Sequence, residues 1–232
     1  MNDEAPHDSP LRSVHTTNFP NLLEEIQASL LVTTYQAGKL VILRNNDGVL
    51  NTHFRSFEKP MGLAVSGGKL ALGTNVEVWE FHNVPAACRQ LDNRSINEAT
   101  SDELTLLRPK HDACYLPRRV HTTGDVQIHE MAWVGEELWF INTAFSCLCA
   151  RSDVYSFQPR WLPPFINHLV PSDCCHLNGM AIRDGRLQYV TALGATGAPA
   201  GWRSNKRNGG VLIEVASGEI LLQGLSMPHS PR

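Results

Sequence analysis

Three polar side chains, His129, Asn178 and His229, occupy one position of a repeated sequence pattern. The second follows the first after 49 residues (178 − 129), and the third follows the second after 51 (229 − 178). Histidine nitrogens and amide oxygens suit a divalent cation or a polar ligand. A histidine that titrates near neutral pH can also serve as a general base. The pattern therefore predicts a site at which the three side chains meet.

Two further side chains adjoin this set. Glu130 follows His129 directly, and His176 precedes Asn178 by two positions. We predict that all five residues bind a small polar ligand, and that His129, Asn178 and His229 hold a divalent metal ion if a metal is bound. An alternative interpretation gives them a structural role, because side chains at the heads of strands can satisfy free backbone groups.

The pair His121 and Asp125 is a separate candidate, since an imidazole and a carboxyl group can form an acid–base pair. A turn cap explains Asp125 equally well, so both interpretations stay open. Two other patterns lack the residues that their chemistry needs. Residues 194–197 are not followed by the Lys-Ser/Thr of a phosphate-binding loop, and Ser146 and Ser230 lack the G-x-S-x-G pattern of many serine hydrolases.

The repeated pattern that carries these residues is typical of a β-hairpin. It occupies residues 60–74, 128–142 and 176–191, and in each copy two apolar runs flank a short turn. In the third copy the turn contains Asp184-Gly185, a strong hairpin signal because glycine accepts the positive φ that a tight turn demands. The sequence therefore predicts three equivalent hairpins.

Hairpins that recur at this interval predict an all-β fold, a β-propeller, whose four-stranded blades take roughly 40 to 50 residues each. The interval from Met61 to His129 is longer, at 68 residues (129 − 61), and we assign the surplus to an insertion between blades at residues 88–124, with a polar loop at residues 91–103. The innermost strands of a propeller begin near its central channel. Equivalent positions of successive hairpins are therefore expected to converge there.

The chain is expected to begin with a disordered lead, residues 1–18, which is rich in proline and polar residues. Residues 19–27 follow as a short helix, because Pro20 suits an early helical position and the apolar residues share one face. Residues 19–232 are predicted as one propeller domain. The last residues resemble the opening of a fourth hairpin, so we expect this domain to be truncated at its C-terminus.

Three connecting stretches complete the prediction. Residues 143–149 are strand-like, whereas three prolines in residues 157–165 exclude a central strand and indicate an ordered connection. Residues 195–208 are predicted as a surface loop. Trp202 and Arg203 in that loop could contact a sugar or a carboxylate, but a solvated loop is the preferred interpretation.

The composition excludes several classes of partner. The 232 residues carry 20 Lys and Arg against 23 Asp and Glu, a formal charge of −3 with no basic block, whereas nucleic acids and anionic membranes need clustered cations. No apolar run approaches the ~18 residues of a membrane span, and the N-terminal residues lack the apolar core of a secretory signal. We therefore expect a cytoplasmic protein in which the six cysteines are reduced.

Several motifs together resemble a conserved, mostly bacterial family of β-propeller-like proteins. They are His176-Leu177-Asn178-Gly179-Met180-Ala181, Gly201-Trp202-Arg203, Gly209-Gly210-Val211 and Ser226-Met227-Pro228-His229-Ser230-Pro231-Arg232. The resemblance spans residues 30–232. It implies a propeller that has six blades in the full family, and a chain that continues past Arg232. It implies no particular activity.

A more distant similarity is to six-bladed propellers of the gluconolactonase and regucalcin type. In these proteins an Asn-Gly at the head of an inner strand supplies a metal ligand, and Asn178-Gly179 matches that local pattern. The other, acidic ligands are not recognisable here, since His129 and His229 stand at the equivalent positions. This departure counts against the calcium-dependent lactonase activity that the similarity implies.

Two functions stay open at this point. The first is a binding module whose channel mouth recognises a small polar ligand, a glycan or a protein segment. The second is a metal-dependent hydrolase or lactonase that uses His129, Asn178 and His229. We prefer binding, because no complete catalytic set can be named and propellers host many unrelated functions. Bound metal would distinguish the two.

Overall fold

The computed structural model describes residues 13–88 and 111–232, and divides the chain into two compact units, Met1–Lys59 and Pro60–Arg232. Most of the predicted disordered lead lies outside the described residues, and residues 13–18 contain neither helix nor strand. The all-β class is confirmed, with four antiparallel sheets. Over the two described ranges, no helix has the length and apolar character needed to cross a membrane.

The first unit contains the predicted helix and one three-stranded sheet. Helix α1 is followed by three antiparallel strands in chain order, which form two successive hairpins. Pro20 lies near the start of the helix, and the helix buries the side chains of Pro20 and Leu23. The bounds are α1 Phe19–Glu25, β1 Leu30–Thr34, β2 Lys39–Asn46 and β3 Val49–Ser56.

The second unit consists of three four-stranded antiparallel sheets, each built from four consecutive strands in chain order. One short 3₁₀ helix, Gly201–Asn205, lies between the second and third strands of the last sheet. The first sheet is β4 Leu63–Ser66, β5 Lys69–Gly73, β6 Glu77–Asn83 and β7 Tyr115–Thr122. The second is β8 Ile128–Val134, β9 Glu137–Asn142, β10 Cys147–Ala150 and β11 Gln158–Trp161. The third is β12 Leu177–Arg183, β13 Arg186–Ala192, β14 Gly210–Glu214 and β15 Ile220–Leu225.

The three predicted hairpins are confirmed as the first two strands of each sheet: β4–β5, β8–β9 and β12–β13. Their turns use residues that tolerate positive φ. Gly67 and Gly68 both adopt it in the first turn, as do Asp184 and Gly185 in the third, which is the backbone that a two-residue hairpin turn requires. Local turn chemistry therefore fixes where each sheet begins.

The first strands of successive sheets are neighbours. Strand β8 contacts both β4 and β12, and apolar clusters fill the spaces between the sheets. Val78 and Phe140 belong to one cluster, and Leu148, Met180 and Ile213 to the other. The heads of β8 and β12, which carry His129 and Asn178, are thus held in one packed region.

The extra length in the first interval lies within a sheet, so its assignment to an insertion between sheets was wrong. Residues 115–122 form β7, the fourth strand of the first sheet, and pair with β6. Strand β7 is an edge strand with Pro117 and several exposed residues, a composition common at sheet edges, and it lacks the apolar alternation that reveals an inner strand. The predicted loop at residues 91–103 lies outside the described residues.

Two connecting stretches also differ from expectation. Residues 143–146 form a turn, and only Cys147–Ala150 is a strand. Gln158–Trp161 is also a strand. It pairs only with β10 at the edge of the sheet, and Pro159 is tolerated there, although it would not be in a central strand. In the predicted surface loop, Trp202 is buried, with 6% of its surface exposed.

Candidate functional site

His129, His176 and His229 lie together and form what we call the histidine cluster. His129 is the second residue of β8, His176 directly precedes β12, and His229 follows β15. The ring centroids of His129 and His176 are 4.8 Å apart in an edge-to-face arrangement. Those of His129 and His229 are 6.3 Å apart and nearly parallel. The structure therefore brings together three of the five predicted site residues.

A shift in strand register sets the position of His129. Ile128 pairs with Asn142, but Met131 pairs with Phe140, so β8 contains one extra residue at His129-Glu130. The same shift occurs at Asn178, between Leu177 and Gly179 of β12. Such β-bulges turn a side chain away from the regular alternation. His129 and Asn178, which occupy equivalent positions in the sequence pattern, thus also lie at equivalent bulges of the backbone.

The hydrogen bonds of His129 determine which ring nitrogen carries the proton. Nδ1 lies 3.0 Å from the Gln127 carbonyl oxygen and 2.8 Å from Thr143 Oγ1. The Thr143 hydroxyl donates its own proton to the Leu177 carbonyl at 2.7 Å, so its oxygen is left to accept. Nδ1 is therefore the protonated atom, and Nε2 carries a lone pair.

Burial keeps His129 uncharged. Burial is the main cause of its lowered pKa, and the neighbouring His176 and His229 contribute in the same direction. Although the Gln127 carbonyl opposes the shift, the pKa falls from 6.5 to about 4. The pKa of His229 is also lowered, first by burial and then by His176. A neutral imidazole at neutral pH accepts a hydrogen bond or a metal ion through its free nitrogen.

His176 is oriented by a carboxylate and an indole ring. Its Nδ1 lies 3.1 and 2.9 Å from the two oxygens of Asp173. The Trp202 Nε1–H group donates to Asp173 Oδ2 at 3.0 Å, and the ring centroids of His176 and Trp202 are 4.4 Å apart. The carboxylate thus accepts the Nδ1 proton of His176.

The prediction from sequence missed Asp173, and it gave Trp202 a contact with a sugar or a carboxylate only in the less preferred interpretation. Asp173 precedes His176 by three residues, and both adopt positive φ, 44° and 51°. That spacing, in a turn just before a strand, is a signal that could have been used. Trp202 lies far along the chain within a stretch predicted as a surface loop. No local pattern connects it to Asp173.

Asn178 and Glu130 are bound within the protein. Asn178 is 2% exposed and its Oδ1 accepts a hydrogen bond from Thr191 Oγ1 at 2.8 Å, whereas its Nδ2 has no partner among the described residues. Glu130 accepts the Met180 backbone N–H at 2.9 Å and pairs with Arg232 Nη2 at 2.7 Å. Glu130 therefore joins β8 to β12 and to the end of the chain.

Two glycines let the last residues pack closely on the third sheet. A Cβ atom at Gly179 would lie 2.5 Å from Pro231 Cδ and 2.7 Å from the Ser230 nitrogen. A Cβ atom at Gly210 would lie 2.3 Å from Pro228 Cδ. These approaches, which only glycine allows, place residues 228–231, and with them His229, beside the head of β12.

No group of three or more His, Cys, Asp or Glu residues in the described ranges has the geometry of a metal site. The predicted metal set of His129, Asn178 and His229 contains an amide side chain, which is not one of these four residue types. This set therefore stays a prediction. His121 and Asp125 share no hydrogen bond within the described part of the chain, and His121 Nε2 instead lies 2.7 Å from the Ser156 carbonyl oxygen.

A charged cleft of about 540 Å³ lies elsewhere in the second unit, lined by residues of the first and second sheets. Its charges largely neutralise one another. Lys69 pairs with Glu136, and Arg151 Nε lies 3.2 Å from Glu80 Oε1. These side chains already have partners of opposite charge, so they are less available to a ligand.

Comparison with known proteins gives a family and several distant structural similarities, two of which are described below. The family described as "Domain of unknown function (DUF4915)" matches residues 17–232. No curated protein matches the chain. A streptogramin B lyase structure is similar at 11% identity and a TM-score of 0.46, over 87% of this chain and 54% of that one. Virginiamycin B lyase from Staphylococcus aureus is similar at 12% identity and a TM-score of 0.42, over 88% and 56%. The chain spans about half the length of these two structures.

Proposed function

The chain belongs to the DUF4915 family, and we propose that it binds a small polar ligand through the histidine cluster. The observation that carries this proposal is the proximity of two imidazole rings whose Nδ1 atoms already have partners. His129 and His176 each use Nδ1 for a hydrogen bond within the described residues, and their centroids lie 4.8 Å apart. Two neighbouring imidazole rings suit a molecule that presents several hydroxyl groups.

The chemistry of the cluster narrows the class of ligand. His129 is neutral at neutral pH because burial lowers its pKa to about 4, so its free nitrogen accepts a hydrogen bond. Hydroxyl groups donate such bonds without bringing a charge into a mostly buried site. A sugar or polyol with neighbouring hydroxyl groups is the ligand we propose. His229, at the exposed side of the cluster, would contact the outer part of that ligand.

The proposal includes the finer architecture of the second unit. We place its three sheets as blades of a β-propeller, with β4, β8 and β12 as the innermost strands. The support is that each sheet is a four-stranded antiparallel meander and that β8 contacts both β4 and β12. The ligand would then enter where these strands begin, as in propellers generally.

Binding is tested by titrating the protein with neutral sugars and polyols while its imidazole nitrogen resonances are recorded. We expect a ligand to shift the Nε2 resonances of His129 and His176, and His129→Ala to weaken binding about tenfold, the loss of one neutral hydrogen bond. His168→Ala, at an exposed histidine, is the matched control. A ligand that shifts other histidines alone, or no response from the whole library, would contradict the proposal.

The metal-dependent alternative needs a separate measurement on the same sample. Imidazole lone pairs that bind hydroxyl groups also bind divalent transition metals. Elemental analysis that finds about one metal ion per chain, lost in His129→Ala and kept in His168→Ala, would replace ligand binding with a metal site.

A further inference from the structure

We infer that Asp173 and His176 form a catalytic base pair and that the histidine cluster hydrolyses an ester of the hydroxylated ligand it binds. This inference rests on the proposed function and adds a reaction to it. The Asp173 carboxylate holds Nδ1 of His176 at 2.9 Å, which leaves Nε2 free to take a proton. The negative charge beside the ring stabilises the imidazolium that then forms.

The carboxylate is fixed in place, as a catalytic pair requires. Its side chain is 17% exposed and that of His176 is 16% exposed, so both are shielded from water without being sealed from it. Trp202 donates a hydrogen bond to the carboxylate and packs against the imidazole ring. The His176 ring cannot rotate freely, because it lies between the rings of Trp202 and His129. Such preorganisation keeps the base aligned before the substrate arrives.

The backbone holds the two side chains beside each other. Asp173 and His176 both adopt positive φ, as nine other described non-glycine residues do. The bend that contains them brings the carboxylate and the imidazole within hydrogen-bond distance.

His129 and His176 have different hydrogen-bond partners, and we assign them different roles for this reason. His129 has carbonyl and hydroxyl oxygens beside its Nδ1, whereas His176 has a carboxylate. The Asp173 carboxylate can stabilise the imidazolium that forms during the reaction. We therefore assign the base to His176 and the binding of a substrate hydroxyl to His129.

The reaction is a hydrolysis without change of oxidation state. His176 Nε2 takes a proton from a water molecule as the water oxygen bonds to the ester carbonyl carbon. The bond from that carbon to the alkoxy oxygen then breaks, and the imidazolium returns its proton to the departing alkoxide. The products are a carboxylic acid and an alcohol, and the enzyme is regenerated.

The test measures hydrolysis of p-nitrophenyl acetate by the full chain and by isosteric variants. We expect His176→Gln and Asp173→Asn each to lower the rate roughly 100-fold, the lower end of what general-base catalysis contributes, and His168→Ala to leave it unchanged. The wild-type rate should fall in D₂O, because a proton moves in the rate-limiting step. Asp173→Asn should lose that solvent isotope effect while retaining the fold by circular dichroism.

Hydrolysis no faster than in buffer, or an equal rate in wild type and both variants, would overturn the inference. The proposed binding function is tested apart from it, because Asp173→Asn keeps all three imidazole rings. If sugars still shift the His129 resonance in that variant while no ester is hydrolysed, binding stands and catalysis fails. If no sugar binds to the wild type, the binding proposal fails.

Discussion

A buried imidazole that stays neutral makes the stability of the fold depend on pH. Burial lowers the pKa of His129 to about 4 in the folded chain, whereas the unfolded chain has the ordinary value of 6.5. Between these values the unfolded state binds the proton and the folded state does not, so stability falls as the pH falls. The contribution is fully present above pH 6.5 and is lost progressively down to pH 4.

We predict that this histidine accounts for about 2 kcal/mol of the stability lost between pH 7 and pH 5. Urea unfolding of wild type and His129→Gln at both pH values measures it, since glutamine does not titrate. The difference between the two pH values should be smaller in His129→Gln by that amount, and unchanged in the control His168→Gln. An equal difference in all three proteins would show that His129 does not titrate as its burial implies.

At the scale of elements, the close approach of two segments depends on a missing side chain. A methyl group at Gly179 would lie within 2.5 Å of Pro231 and within 2.4 Å of Thr191 Oγ1. We therefore predict that Gly179→Ala lowers the free energy of unfolding by about 1 to 3 kcal/mol, as overpacking does. It should also displace residues 228–231 and change the His229 imidazole resonances, which the nuclear magnetic resonance spectrum reports.

The His168 resonances provide an internal reference for this variant, because that residue is exposed and follows the second sheet rather than the third. Should Gly179→Ala prove as stable as wild type, with the His229 signals in place, the segment does not pack on β12 as the structure has it. Glu130→Gln tests the packing of the same segment in a second way, because it weakens the ion pair with Arg232. Glu136→Gln, at an exposed glutamate, is its matched control.

The sequence predicts those features of the fold and of the candidate site that neighbouring residues or a repeated pattern determine. The hairpin turn at Asp184-Gly185 could be predicted, because two adjacent residues determine its backbone. The proximity of His129 and His229 followed from their place in a repeated pattern. Strand β7 could not be predicted, since an edge strand with Pro117 shows little apolar alternation. The contact between Asp173 and Trp202 joins distant parts of the chain, and only tertiary packing creates it.

At the scale of the whole molecule, the apolar packing of the second unit shields most of the thiol groups. All six cysteines are free in the structure. Five of them are buried: Cys88, Cys147, Cys149, Cys174 and Cys175. Burial also raises the pKa of the Cys175 thiol to about 12 and raises the pKa of Cys149, where the neighbouring Cys147 adds to the shift. The thiolate is the form of cysteine that attacks a disulfide reagent, so a raised pKa slows the reaction. Cys114 is the one cysteine of the six that is partly exposed to such a reagent.

We therefore predict that the folded protein reacts rapidly with a chromogenic aromatic disulfide at one thiol, Cys114, and that the other five react only as the chain unfolds. Titration at pH 8, with and without denaturant, counts the thiols in each state. Cys114→Ser should abolish the rapid phase and leave five slow thiols, whereas Cys88→Ser should keep the rapid phase and remove one slow thiol. Two or more rapid thiols in the native protein would mean that the sheets open on the time scale of the reagent. The packing that holds the histidine cluster would then be looser than the buried thiols imply.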